Sequence, residues 1–296
     1  MTHSINKQQR RMKWYINSCD GIYNSFDVHF TSECDNRCQH CIDAKYKGKG
    51  FKRPDAHAIA KTIIEHQEGF DDVLFLGGEP SLYLPELCDC IRMIKQETQL
   101  KCYVTTSVPK TCYRIYPKFL EMSELADGVN LSVQHYREDV ADKIRCTKSQ
   151  FDRQMFYDQL PHKERFRIHL NIVRPYLCTR DEILACLQHY DRMGFPVIKL
   201  SELQRAADSY ASFEQIMGIK LKSPFAHGCQ TWFDMQQFIP DYQGRLLLKR
   251  SCFLNEESCR ASLADGIKVL RKCIVRPRPQ HYAVVYEDGS LSNGWV

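Results

Sequence analysis

The stretch Ser32-Glu-Cys-Asp-Asn-Arg-Cys-Gln-His-Cys41 holds three thiols, Cys34, Cys38 and Cys41, spaced C-x3-C-x2-C in one short loop. Thiols this close, with Asn36 and Arg37 between them, cannot all turn into a hydrophobic core. A tight loop can wrap them around one metal centre. Tetrahedral zinc usually takes its ligands as two separated pairs. Here no fourth ligand stands at short range, and the backbone aims His40 away from its neighbour Cys41. Three thiolates on a four-iron cluster leave one iron with an open coordination site, whereas an electron-transfer cluster is normally closed by four. An open iron is a place where a ligand can bind and react. The plainer reading is three unrelated buried thiols. It leaves unexplained why the spacing falls directly after a predicted strand.

The elements that would position this loop are legible as an alternation. Phe26–Phe30 (FDVHF), Asp72–Leu76 (DVLFL), Lys101–Thr106 (KCYVTT), Gly128–Val133 (GVNLSV), Arg165–Val173 (RFRIHLNIV) and Val197–Leu203 (VIKLSEL) read as strands. Amphipathic stretches follow them: Asp55–Glu68, stopped by Gly69, then Leu84–Thr98, Tyr116–Met122, Asp139–Leu160 and Arg180–Gly194. Units recurring at about 30 residues argue for parallel strands with crossover helices. Six units are too few for a closed eight-unit barrel. The expected fold is therefore α/β, a partial (β/α)6 TIM-type barrel over residues 22–222, with an N-terminal extension, 1–21. After about Ser223 the pattern changes to turn signals at Tyr242-Gln-Gly, Ala264-Asp-Gly and Glu287-Asp-Gly, and Asp-Gly between β-type residues is a hairpin signal. Residues 223–296 read as a small hairpin-rich, cysteine-containing C-terminal extension.

Composition narrows the class. The chain has 296 residues, 43% hydrophobic and 26% charged, which is ordinary for a globular protein and excludes a collagen-like or disordered chain. The formal net charge of +5 suits anionic ligands but is too small to declare a nucleic-acid binder. No apolar run approaches the roughly 18 residues of a membrane span, and the first residues lack a secretory signal's apolar core. Fifteen Cys, an odd number spread over the chain, fit a reducing compartment better than a disulfide framework. The expected location is the cytoplasm, with no membrane partner.

A second motif, Leu76-Gly-Gly-Glu-Pro80, follows the second strand. Its glycines let backbone approach a ligand closely, and Glu79 can accept hydrogen bonds from a cationic amine. Alone it could be a plain turn. Together, the three-Cys loop with the aromatic His40 before its last Cys and the Gly-Gly-Glu-Pro turn resemble the radical S-adenosylmethionine superfamily. The resemblance covers about residues 22–205. It implies a [4Fe-4S] cluster on Cys34, Cys38 and Cys41, S-adenosylmethionine on the open iron, and reductive cleavage to a 5′-deoxyadenosyl radical that abstracts hydrogen from a substrate. An electron donor such as flavodoxin or ferredoxin is implied with it. Contacts to S-adenosylmethionine are implied at Gly77, Gly78, Glu79 and Pro80, and at Thr106, Ser132 and Asn171 on later strands. Arg145, in DKIRCTKS, resembles the family's D-x-x-R-G stretch with Cys146 in place of Gly, and an Arg fork suits a carboxylate. Ordinary strand-end polarity, or a solvated helix face for Arg145, is the other reading of each single residue. Strand C-termini face the site in such barrels, so His29, Gln134, His135, His169, Glu202 and Arg205 are candidate pocket residues. For His29 a satisfied buried histidine is the alternative.

The extension carries Cys229, Cys252, Cys259 and Cys273, with Asp265-Gly266 between the last two. This is similar to the SPASM or twitch-like extensions of one branch of the superfamily, which hold a second [4Fe-4S] cluster. The spacing lacks that branch's usual C-x2-C opening, so zinc and unliganded thiols stay open. A peptide or protein is the substrate class such an extension suits, expected to bring a second cluster; a nucleotide or small metabolite is the runner-up, expected to bring a basic pocket. A non-catalytic iron–sulfur or zinc module is the contrasting class. The open three-Cys loop argues against it.

Overall fold

A computed structural model describes residues 24–45, 53–148, 151–203, 209–219, 230–249 and 282–293. One ten-stranded sheet organises them, in the order β10-β9-β1-β2-β3-β4-β5-β6-β8-β7. The strands β1 (Ser25–His29), β2 (Asp72–Leu76), β3 (Lys101–Thr106), β4 (Gly128–Ser132), β5 (Phe166–Ile172) and β6 (Val197–Glu202) pair in parallel with their neighbours. The partial barrel and its strands agree with the sequence reading to within a residue or two.

The strands use both faces. On β5, Phe166, Ile168, Leu170 and Ile172 join the hydrophobic core, while the alternate residues Arg167, His169 and Asn171 face an interior cavity. β4 does the same, with Val129 and Leu131 in the core and Asn130 and Ser132 on the cavity. The core side is covered by α1 (Ala56–Glu65), α2 (Leu84–Glu97), α3 (Lys110–Arg114), α4 (Tyr116–Leu125) and α7 (Arg180–Arg192), through side chains such as Ile59, Ile91, Phe119 and Leu187. Asp55 caps α1 by accepting the Ala58 amide at 2.9 Å, and Thr179 caps α7 from Glu182, each satisfying an otherwise orphaned N–H. The single helix expected over Asp139–Leu160 is two helices, α5 (Glu138–Arg145) and α6 (Arg153–Asp158). Cys146 adopts the left-handed conformation (φ 52°) and ends α5, and Asp152 starts α6 by accepting from Gln154 and Met155.

Within residues 223–296, the described strands continue the same sheet. β8 (Arg245–Lys249) pairs in parallel with β6, and β7 (Gln230–Phe233) is antiparallel to β8 after the loop that contains Tyr242-Gln-Gly. β9 (Tyr282–Tyr286) pairs in parallel with β1, and the Glu287-Asp-Gly turn returns the chain into β10 (Leu291–Ser292). Residues 1–21, Ala264-Asp-Gly, Arg205 and the four extension cysteines Cys229, Cys252, Cys259 and Cys273 lie outside the described residues. α8 (Phe213–Met217) follows β6. Among the described residues no helix is long and apolar enough to cross a membrane.

The β9–β10 turn docks on α1 at close quarters. Thr62 Oγ1 donates to the Gly289 carbonyl at 2.7 Å, and the Asp55 amide donates to the Glu287 carbonyl at 2.8 Å. Gly289 has φ 80°, and a Cβ there would meet the Ala58 backbone at 2.8 Å. Both strain and overlap oppose any side chain. Gly289→Ala is expected to cost about 1–3 kcal/mol and lower the thermal midpoint by several degrees, read by circular dichroism. An unchanged midpoint would show that this docking does not contribute.

Candidate active site at the barrel mouth

A cavity of about 420 Å³ opens at the C-terminal ends of the strands, within the usual size range of small-molecule sites. Its lining draws on strands at opposite ends of the sheet, including Asp27 of β1 and Lys249 of β8. The sheet therefore curls around it. Cys34, Cys38 and Cys41 line this cavity together with Gly77, Gly78, Glu79, Thr106, Ser132 and Asn171. Pro80 and Arg145 lie outside the lining. Of the further candidates, Gln134, His169 and Glu202 line it; His29 and His135 do not.

The cysteine loop leaves β1 and lies over the turn after β2. Glu79 donates its amide to the Glu33 carbonyl at 2.7 Å. A Cβ at Gly78 would collide with the Thr31 and Glu33 carbonyls, and one at Gly77 with the His29 ring. The two glycines are thus needed for the loop itself to pack, beyond any ligand's approach. Within the loop the Asn36 amide donates to Cys34 Sγ at 3.4 Å, a contact that favours a thiolate.

Glu79 ties three segments together. Its carboxylate accepts from the Ser81 amide at 3.1 Å, the Ser107 amide at 2.7 Å and the Ser107 hydroxyl at 2.6 Å. Asn36 Nδ2 donates to the same Ser107 hydroxyl at 2.7 Å. Burial, and then the nearby Asp35 charge, push the Glu79 carboxyl above its ordinary pKa, opposed by the Ser107 hydrogen bonds. Arg145 is buried with its guanidinium on Glu138 at 2.5 Å, so the carboxylate it grips belongs to the protein. Its carbonyl accepts the Arg37 amide at 2.8 Å, which anchors the cysteine loop to the end of α5. Arg153, which the motifs did not flag, reaches the same Glu138 at 3.0 Å and donates to the Val108 carbonyl at 3.0 Å. His29 is a buried histidine beside Glu287, 3.2 Å away. The His135 ring accepts the Arg137 amide at 3.0 Å.

Deeper in, polar side chains form ladders across the strands. Arg167 Nε donates to Asn130 Oδ1 at 2.8 Å, and Asn130 Nδ2 donates to Thr105 Oγ1 at 3.1 Å. His169 Nε2 lies 3.0 Å from Ser201 Oγ. Lys199 and Lys249 also line the cavity. Burial drives the Lys199 ammonium well below its ordinary pKa, and repulsion from Arg167 and Lys249 adds to the fall. Burial also lowers Lys249, while the Asp27 carboxylate pulls it back up. Arg167 is brought down to about 10 by burial and stays a cation at neutral pH. Asp27 accepts a hydrogen bond from Tyr282 at 2.8 Å. These charges are absent from the motif reading. Their signal was the period-2 alternation of polar residues within strands of which only certain polar positions, such as His169, Asn171 and Glu202, were singled out.

Among the described residues no three His, Cys, Asp or Glu side chains gather tightly enough for a single metal ion. The loop offers three thiolates, the donor number that leaves one iron of a four-iron cluster open. The partly exposed thiols, the glycine turn beneath them and a buried Gln134 Oε1 with no hydrogen-bond partner together suit a cluster with a polar ligand beside it.

Residues 28–156 match the family model of the radical SAM superfamily. This segment is a radical SAM domain. The fold agrees over most of the chain with SuiB of Streptococcus suis, at TM-score 0.56 and 13% identity, covering 92% of this chain and 60% of that one. SuiB bound to its precursor peptide SuiA gives TM-score 0.56 at 14% identity, again covering 92% and 60%. An S-adenosylmethionine-dependent nucleotide dehydratase of a Thermoplasmatales archaeon (strain ISO4-H5) is 29% identical over 72 residues, which is 24% of this chain and 25% of that protein. The chain thus spans about a quarter of the curated relative and three-fifths of SuiB. The radical SAM domain contains the cysteine loop, the Gly-Gly-Glu-Pro turn and strands β2 to β4.

Gly78→Ala puts a methyl group against two carbonyls at φ 53°. The variant is expected to keep its far-ultraviolet circular dichroism but take up much less iron and sulfide on anaerobic reconstitution. Wild-type iron content in that variant would show that the turn does not shape the cysteine loop.

Proposed function

We propose that this chain is a radical SAM enzyme that binds a [4Fe-4S] cluster through Cys34, Cys38 and Cys41 and S-adenosylmethionine beside it. When bound, that pair supplies one-electron cleavage of a sulfonium C–S bond and, through the adenosyl fragment, hydrogen abstraction from a substrate. The observation that carries the reading is that the three thiols and the Gly77-Gly78-Glu79 turn line one cavity. The chain's own residues bind and shield. Gly77 and Gly78 let the cysteine loop pack onto the turn, and their backbone lines the cavity where the cofactor's methionyl part would lie. Ser132, Asn171 and Gln134 offer hydrogen bonds to its polar groups. The curled sheet excludes water from a site where a reactive radical must meet only its substrate.

A small metabolite or nucleotide suits this cavity better than a peptide. A basic pocket is what that substrate class requires, and Arg167, Lys199 and Lys249 supply one inside the barrel. The likeness to SuiB speaks for the fold and leaves the substrate open. The extension thiols Cys229, Cys252, Cys259 and Cys273 remain the candidate ligands of a second [4Fe-4S] cluster, and a small one-electron carrier such as flavodoxin or ferredoxin would supply the electron.

Anaerobically reconstituted protein, reduced with dithionite in the presence of S-adenosylmethionine, is expected to release 5′-deoxyadenosine, measured by liquid chromatography. Cys34→Ala should reduce that release to background. Iron and sulfide near four per chain would mean one cluster, and near eight, two. Cluster-loaded wild type that yields no 5′-deoxyadenosine, with or without a candidate substrate pool, would refute the reading.

A further inference from the structure

We propose that Lys199 and Lys249, backed by Arg167, form a seat for a phosphoryl group of the substrate. This deepens the small-molecule reading above and rests on it. Lys199 is 9% exposed and lines the cavity, and neither it nor Lys249 has a hydrogen-bond or ion-pair partner among the described residues. Two long ammonium side chains directed into a sheltered cavity with no acceptor among the described residues are costly unless something anionic meets them. Arg167 is held in place from below, since its Nε is committed to Asn130 at 2.8 Å. The one carboxylate close enough to raise Lys249 is Asp27, which the Tyr282 hydroxyl already engages at 2.8 Å. With both ammonium groups charged around a bound anion, three cations beside Asp27 carry a local charge near +2, matching the roughly −1.5 to −2 of a phosphate monoester better than one carboxylate. Lysine ammonium groups suit phosphate as point charges, and a guanidinium adds directional donors.

The seat runs along the barrel: Lys199 stands level with Ser132 through His169, and Lys249, the last residue of β8, stands level with Asn171 through Ser201. Lys199 precedes Ser201 by two residues on β6, and Arg167 precedes Asn171 by four on β5, so both lie nearer the strands' N-terminal ends than the mouth. Ser201 and Asn171 pair with each other across the sheet. The three cations belong to the strands β5, β6 and β8, and Asp27 of β1 faces Lys249 across the curled sheet.

Titration calorimetry on full-length, cluster-loaded protein with S-adenosylmethionine present tests the seat directly, using inorganic phosphate, inorganic pyrophosphate and malonate as probes. Phosphate or pyrophosphate should bind and malonate should bind at least tenfold more weakly. Lys199→Met and Lys249→Met should each weaken pyrophosphate binding at least tenfold, and either one that folds is sufficient. The proposal is overturned if neither phosphate probe binds, if the variants bind like wild type, if malonate binds as well as phosphate, or if S-adenosylmethionine displaces the anion. Cys34→Ala separates the two readings. It should keep pyrophosphate binding while forming no 5′-deoxyadenosine. Anion binding without cleavage in wild type would leave the seat standing and sink the enzymatic reading, and cleavage without anion binding would do the reverse.

Discussion

The loop that carries the three thiols and the turn after β2 compete for nearly the same space. They coexist because no side chain stands at Gly77 or Gly78, so the Thr31 and Glu33 carbonyls can descend onto the turn. Once they meet, the Glu79 amide bonds to Glu33, the Glu79 carboxylate gathers the Ser107 amide and hydroxyl, and Asn36 reaches the same serine. Burying that carboxylate is unfavourable, as its raised pKa records. The hydrogen bonds it receives offset much of the loss. The thiols are therefore positioned by a backbone packing constraint and a small polar knot. Cys34 joins that knot through its Sγ, which accepts the Asn36 amide at 3.4 Å.

The same division of labour runs through the barrel. β4, β5 and β6 present apolar side chains to the helices and polar ones to the cavity, while β2 lines the cavity with Leu74 and Leu76, so the stability of the fold comes largely from one face and its chemistry from the other. The outward face of β6 holds Ile198 and Leu200, while Lys199 and Ser201 turn inward. Placing a lysine there costs several kcal/mol in real proteins when its charge stays unpaired. A core built from Phe26, Val104, Leu131, Ile168 and their neighbours can sustain such a residue. Local rules are commonly broken in this way where a site is being built.

Much of this was legible in the residues themselves. Strand positions followed from short apolar runs, and Cys34, Cys38, Cys41, Gly77, Gly78 and Glu79 stood out because spacing alone marks them. The helix over Asp139–Leu160 was misjudged because its amphipathic pattern continues across Cys146, while the break is a single left-handed residue that hydrophobic periodicity does not register. Arg145 looked like a ligand-binding fork, yet its partner Glu138 lies seven residues earlier, two helical turns back on α5. Lys249 could not be placed because β8 joins β6 only after an intervening antiparallel strand, and β9 joins β1 across most of the chain. Such pairings depend on three-dimensional closure, which local patterning does not encode.

Closure also sets the direction in which a substrate would lie. With a rise of about 3.3 Å per residue in parallel strands, Lys199 sits about 7 Å below Ser201 along β6 and Arg167 about 13 Å below Asn171 along β5. Lys249 ends β8 level with Ser201, so an anion held by all three cations would lie along the strands, with the rest of the molecule toward the thiol loop and the glycine turn. Its carbon framework would then cross the space between the cations and the cofactor site, while His169, held on Ser201, borders its path. Burial and the surrounding cations hold His169 well below its ordinary pKa, so it meets that framework as a neutral imidazole and adds no further positive charge. The cavity is cationic on the β5, β6 and β8 side and thiol-lined at the cysteine loop, an electrostatic asymmetry that would orient an anionic substrate before any specific contact to the reacting carbon is made.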